Sequence, residues 1–180
     1  MFSDRMALDT IRLVQENIYA VDKDPKDLKA REGLMLAATL GGLAFSNASI
    51  CLVHGMSRPL GSNFKVPHGL SNAMLLPTIT EFSIDHAKSR YADCSRAGNF
   101  ASPDDDDNTA CENLIKGLYK LNKDFDVPSM KTFGIDEKNF EDQLENMATD
   151  AEISGAPGLN PRVPSVKEMI NLYGEAWRAF

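Results

Sequence analysis

Apolar residues recur at three- and four-residue intervals along most of this chain, and the strict alternation of a half-buried strand is nearly absent. Ser3 and Asp4 precede a stripe of Ala7, Ile11, Val14 and Ile18, which predicts a first helix. Asp24 and Pro25 carry the marks of a second start, with Asp24 as N-cap, Pro25 in the first turn and Asp27 complementing the dipole. That helix is expected to run through an apolar stretch and end near Gly55. A third is expected from His68 and Gly69, cut or kinked at Pro77. Asp85 predicts the start of a short helix bearing Ala87, Tyr91 and Cys94.

The loop FASPDDDDN follows, and then Thr109 and Glu112 at capping-box spacing, with Leu114, Leu118 and Leu121 behind them. Asp136 reads as the next cap, with Ile135 and Phe140 at the two positions of a hydrophobic staple and Leu144, Met147 and Ala151 continuing the stripe. Ser165 and Glu168 form another capping box, after which Val166, Met169, Ile170, Tyr173, Trp177 and Phe180 line one face. The sum is an all-α fold, a multi-helix bundle of about seven helices in a single domain over residues 1–180.

Residues 33–53 contain no charged side chain, a run of 21 residues and long enough to span a bilayer. Thr39, Ser46, Asn47 and Ser49 lie inside it, and no basic cluster flanks it. The run is therefore read as the central helix of a soluble bundle, with no membrane partner. Its small residues Gly41, Gly42, Ala44, Ser46 and Ala48 are expected to admit a neighbouring backbone.

A net charge of −7, with no basic cluster, excludes nucleic acid as the main partner. Composition is that of an ordinary globular chain, 43% hydrophobic and 25% charged. Cys51, Cys94 and Cys111 are widely and irregularly spaced, which fits free thiols in a reducing cytosol. The charged N-terminal residues do not form a signal peptide, so a cytoplasmic location is expected. The four consecutive aspartates lack the alternation and closing Glu of an EF-hand, and are read as charge supplied to a helix N-terminus.

Candidate chemistry narrows to the three histidines. His86 stands among polar residues at a helix start and reads as a surface side chain. His54 and His68 bracket HGMSRPLGSNFKVPH, where Gly55, Pro59, Gly61 and Pro67 are expected to let the chain reverse. Two imidazoles at facing helix ends are either ligands of one metal ion or two satisfied histidines at a junction. Two are too few to complete a catalytic site, which normally draws three or more ligands from the protein. Phe45 and Asn47 lie nine and seven residues before His54. On one continuous helix that is about two turns, so they are candidates for lining a substrate pocket.

The run AREGLMLAATLGGLAFSNASICLVHGMSRPLGSNFKVPHGLSNAMLLP resembles the signature region of the iron-containing (group III) alcohol dehydrogenases. The resemblance continues through RYADC, SGAPGLNPRVP and LYGEAW, and so covers essentially the whole chain. It implies the helical C-terminal domain of a dehydroquinate synthase-like fold, with the N-terminal nucleotide-binding α/β domain absent from this chain. His54 and His68 match two of the family's metal ligands, while its Asp and first His would lie upstream of Met1. The implied cofactors are Fe2+, with Zn2+ as the alternative, and NAD or NADP bound mainly by the other domain. The implied substrate is a small alcohol or aldehyde, with the metal as Lewis acid and hydride passing to nicotinamide.

One departure stands out. Many members carry a histidine four residues after the first of this pair, where Arg58 stands here. Arginine cannot act as a base near neutral pH, but it can grip an anionic group on the cofactor side of the site. With half the ligands and the cofactor loop missing, the chain alone is expected to be inactive and to form a homodimer through its exposed inter-domain face. A truncated, non-enzymatic helical interaction module is the alternative.

Overall fold

The computed structural model describes residues 2–179. Among these it contains eight α-helices, two short 3-10 turns and no strand, so the all-α expectation holds. The chain divides into two compact units, Met1–Ser49 with Lys88–Leu114, and Ile50–Ala87 with Ile115–Phe180.

In the first unit, α1 (Phe2–Lys23) and α2 (Leu28–Ala48) form a helical hairpin. Thr10 lies against Gly41 and Asn17 against Gly33, a register that rises along one helix as it falls along the other, so the pair is antiparallel. Thr10 Oγ1 also donates to the Ala37 carbonyl at 3.3 Å. Ala30, Ala37 and Ala44 recur every seven residues as the buried positions of α2. The cap of α2 is Asp27, whose side chain accepts from Ala30 N, and not Asp24. Asp24 instead folds a tight turn around Pro25, accepting from Lys26 N with its carboxylate and from Asp27 N with its carbonyl. The uncharged helix is not central: Leu28 is 81% and Met35 70% exposed. Of its small residues, Gly41 and Ala44 face packing, whereas Gly42 opens onto free space and Ser46 and Ala48 are exposed.

α5 (Lys88–Ala97) packs on α1, and Arg90 pairs with Asp4. Ala87 lies just before this helix, after a 3-10 turn over Ile84–His86. α6 (Asp107–Asp124) is capped by Asp106, which accepts from the backbone of Asn108 and Thr109. Thr109 is therefore a first-turn residue and not the cap. The aspartate run does supply charge to this helix start. Arg96 fastens it, bonding the Asp105 carbonyl and the Asp107 carboxylate, each at 2.8 Å.

The second unit holds α3 (Leu52–Phe64), α4 (His68–Ser83), α7 (Glu137–Ile153), a 3-10 turn (Ala156–Leu159), α8 (Val166–Arg178) and the later part of α6. Leu52, Met56, Leu60, Met74, Leu75, Met147, Met169 and Tyr173 are fully buried in one core. The predicted starts of α7 and α8 are both present. Asp136 accepts from Asn139 N, while Ile135 and Phe140 are buried. Ser165 and Glu168 form the reciprocal capping box. Phe180, expected on the last apolar face, lies outside the described residues.

Two features depart from expectation. The apolar run does not form a single helix to Gly55. α2 ends at Ala48, Ser49 takes a left-handed φ of 75°, and α3 begins at Leu52. No single helix among the described residues is long and apolar enough to cross a membrane. The second departure is Pro77, which neither cuts nor ends α4. Proline deprives the carbonyl four residues earlier of its helical donor. Here that carbonyl belongs to Ala73, and the side-chain amide of buried Asn122 donates to it at 2.8 Å. The break is repaired from another helix, so α4 continues.

Candidate metal centre

His54 is the third residue of α3 and His68 the first of α4. Both histidines thus sit in the opening turns of helices, not at the end of one and the start of the next. Gly55, Pro59 and Gly61 are inside α3, and the chain reverses only at Lys65, in the left-handed region with φ 57°. Gly55 allows close packing beside His54: a Cβ there would stand 3.0 Å from Pro157 Cδ.

The two imidazole centroids are 5.1 Å apart, with the rings inclined at 63°. With metal–nitrogen bonds of about 2.1 Å and centroids roughly 1 Å further back, imidazoles sharing a tetrahedral ion have centroids about 5 Å apart. The pair therefore fits two positions of one coordination shell. Among the described residues no group of three or more His, Cys, Asp or Glu side chains is placed to hold a metal.

Half-burial of His54 lowers its pKa, and the charges of His68 and Arg58 lower it further. All three effects favour the neutral imidazole, the form that ligates a metal near neutral pH. Arg58 is exposed, one turn beyond His54 on α3. His86 is exposed and stands in the 3-10 turn after α4, as a surface histidine should.

Asn72, passed over in the sequence except as part of the NAMLLP run, adjoins the site. Its Nδ2 lies 3.2 Å from Nε2 of His68, one turn along α4, and its Oδ1 is buried with no hydrogen-bond partner. Partners of this kind orient a histidine ring and select its tautomer. Its spacing of four residues from His68 was the available signal. Phe45 and Asn47 stand differently from expectation. They lie on α2, which ends before the helix of His54 begins, so the two-turn spacing that nominated them does not apply. Both are exposed, and Asn47 Nδ2 donates to the Leu43 carbonyl at 2.8 Å.

A helical scaffold brings two imidazoles together from the opening turns of adjacent helices. Comparison with known proteins gives the family. A family model for the Fe-containing alcohol dehydrogenase family, C-terminal, matches residues 1–177. The chain is 35% identical over 179 residues to an alcohol dehydrogenase of Thermococcus barophilus, covering 98% of this chain and 44% of that protein. It is 30% identical over 173 residues to the NADPH-dependent butanol dehydrogenase of Clostridium saccharobutylicum, covering 96% and 44% respectively. The crystal structure of a 1,3-propanediol oxidoreductase superposes with a TM-score of 0.90 at 28% identity, over 97% of this chain and 45% of that one. The chain belongs to the iron-containing alcohol dehydrogenase family and matches its C-terminal helical part. It spans less than half the length of these relatives.

Proposed function

We propose that this chain is the metal-holding part of an oxidoreductase that moves hydride between a small alcohol or aldehyde and NAD or NADP. The observation that carries the reading is the approach of His54 and His68 to ligand-sharing distance, in a chain of this family. The related butanol dehydrogenase and 1,3-propanediol oxidoreductase take their names from small alcohols, which supports the substrate class. His54 and His68 would hold Fe2+, with Zn2+ as the alternative, together with ligands that these 180 residues do not include. A divalent ion there would act as a Lewis acid, favouring loss of the alcohol proton. His54 contributes a ring kept neutral by its surroundings, and Asn72 holds the ring of His68. Arg58 offers no base near neutral pH, so proton transfer at its position is not part of the reading.

Zinc titration of the chain, followed by calorimetry, is expected to give an affinity no tighter than about micromolar, because only two protein ligands are available. The heat should vanish in a His54→Ala/His68→Ala double variant. Nanomolar binding that survives both substitutions would place the site elsewhere.

The homodimer expected through the inter-domain face near the histidines is proposed instead on α2. Leu28, the adjacent Met35 and Leu36, and Leu43 follow one another at seven- or eight-residue spacing and form an exposed apolar stripe. We propose that a second copy covers it through a twofold contact, which repeats one patch on both subunits. Light scattering over a concentration series should show dimer mass, reduced to monomer by Met35→Glu. Monomer mass throughout would rule this assembly out.

A further inference from the structure

Within the second unit, the later turns of α4 and one face of α8 line a cavity of about 340 Å3, at the lower end of the size of small-molecule sites. On α4 its wall begins at Thr78, ten residues beyond His68 and so about 15 Å along the helix axis. Glu81 and Phe82 follow one turn later. On α8 the wall is Glu168, Asn171, Leu172 and Glu175, which recur at three- and four-residue steps on a single face.

Of the three carboxylates here, one is already engaged. Glu168 accepts from Arg162 at 2.8 Å and from the backbone N and the hydroxyl of Ser165, each at 2.9 Å. The Arg162 guanidinium also lies over the Phe82 ring, 3.9 Å from its centroid. Glu81 and Glu175, one on each wall, are exposed and form no ion pair with a described residue. Three carboxylates against one guanidinium leave two negative charges uncompensated at the cavity. Thr78 adds an unfilled acceptor. It is only 5% exposed, it lines the cavity, and its hydroxyl has no hydrogen-bond partner. Ser71 and Ser83, buried on the same helix, turn back to the carbonyls of His68 and Ile79. A buried hydroxyl left unpaired is unfavourable, and a donor entering the cavity relieves it.

The ligand is therefore a cation that donates hydrogen bonds. Among the described residues no three His, Cys, Asp or Glu side chains are placed to share a metal, so the two carboxylates are matched to two separate charges. Phe82 and buried Leu172 add apolar surface to the same walls. We propose that the cavity binds a short aliphatic diamine, with one ammonium on Glu81 and the other on Glu175. An ammonium has three donors and no acceptor. The first also donates to Thr78, one turn before Glu81, and the second to the amide oxygen of Asn171, one turn before Glu175. The methylene chain covers Leu172. Such a ligand ties α4 to α8 and stabilises the second unit by binding only its folded form. The site needs no metal on His54 and His68.

The test titrates the 180-residue chain with 1,4-diaminobutane, n-butylamine and 1,4-butanediol at constant ionic strength, read by calorimetry and by thermal unfolding. The diamine should bind about tenfold tighter than the monoamine, the size of one hydrogen bond to a charged group. The diol should give no heat and leave the unfolding temperature unchanged, while the diamine raises it with concentration. Glu81→Gln or Glu175→Gln should bring the diamine down to the affinity of the monoamine. Both glutamates are exposed, so these variants should keep the dichroism of the parent. Thr78→Val removes an unpaired hydroxyl, so it should leave the free chain as stable as the parent and weaken the diamine. Equal affinity for diamine and monoamine overturns the proposal. So does binding unchanged by Glu81→Gln/Glu175→Gln, which would put the amine elsewhere. Displacement of the diamine by an equal concentration of magnesium also overturns it, because the carboxylates would then hold an inorganic ion.

Discussion

Replacing Phe140 with alanine is expected to destabilise the second unit by about 4 kcal/mol, among the largest effects available to a single core substitution. Phe140 is 2% exposed. It shares a core with Ile135 at the start of α7 and stacks on Trp177 of α8 at 4.4 Å between centroids. Phe64 of α3 meets it from another side, at 6.2 Å. Truncation thus empties a position shared by three helices, and a cavity lined by rings on separate elements cannot readily collapse. Typical domains have only about 5–15 kcal/mol to lose. Urea unfolding followed by Trp177, the single tryptophan, and by circular dichroism should show a large fall in midpoint in both signals. A loss below about 1 kcal/mol would mean that the ring is not packed as described.

The second large effect belongs to Tyr173. Its ring is fully buried and its hydroxyl donates to the Met56 carbonyl at 2.6 Å, joining α8 to α3 two residues beyond His54. Tyr173→Ala should cost about 3–5 kcal/mol. Tyr173→Phe should cost only about 1 kcal/mol, because the ring stays and one hydrogen bond is lost. Near-equal losses would show that the hydroxyl, not the ring, dominates. Burial pushes the ionisation of this phenol far up, and the charge of Asp150 adds to the effect. The folded form therefore keeps the proton at a pH where the unfolded chain has released it. Stability from this group is complete below the unfolded pKa of about 10 and declines as pH rises past it. In the Phe variant that part of the alkaline loss should be absent.

The legible parts of the fold were those written in short-range chemistry. Asp136 with Ile135 and Phe140, and Ser165 with Glu168, each specify a helix start within five residues, and both starts occur where the side chains place them. The start at Asp27 was misplaced because Asp24 is a near-equivalent carboxylate three residues away, and that of α6 because Thr109 and Glu112 have capping-box spacing just inside the helix that Asp106 caps. The end of α2 was invisible for another reason. Ser49 adopts a left-handed conformation without being glycine, and Cys51 precedes α3 with no side-chain cap. An apolar run carries no sign of a break that uses neither glycine nor proline. The survival of α4 past Pro77 depends on Asn122, which local pattern cannot pair with Ala73. At the site, resemblance joined His54 to His68, but the helices that carry them were misdrawn. That error nominated Phe45 and Asn47 and left Asn72 unweighed.

The bond from Asn122 to Ala73 also bears on the order in which the protein is made. On a ribosome, His54 and His68 leave the exit tunnel well before the residues that steady their helices. Ala73 waits 49 residues for its side-chain donor, and Met56 waits 117 for the hydroxyl of Tyr173. Until Asn122 arrives, α4 has an unsatisfied carbonyl one turn beyond His68, best hydrated by solvent. A nascent chain stalled before that point presents both imidazoles on unfinished helices. The spacing of the two imidazoles is therefore set late in synthesis, after the distant donors have closed on the two helices that carry the histidines.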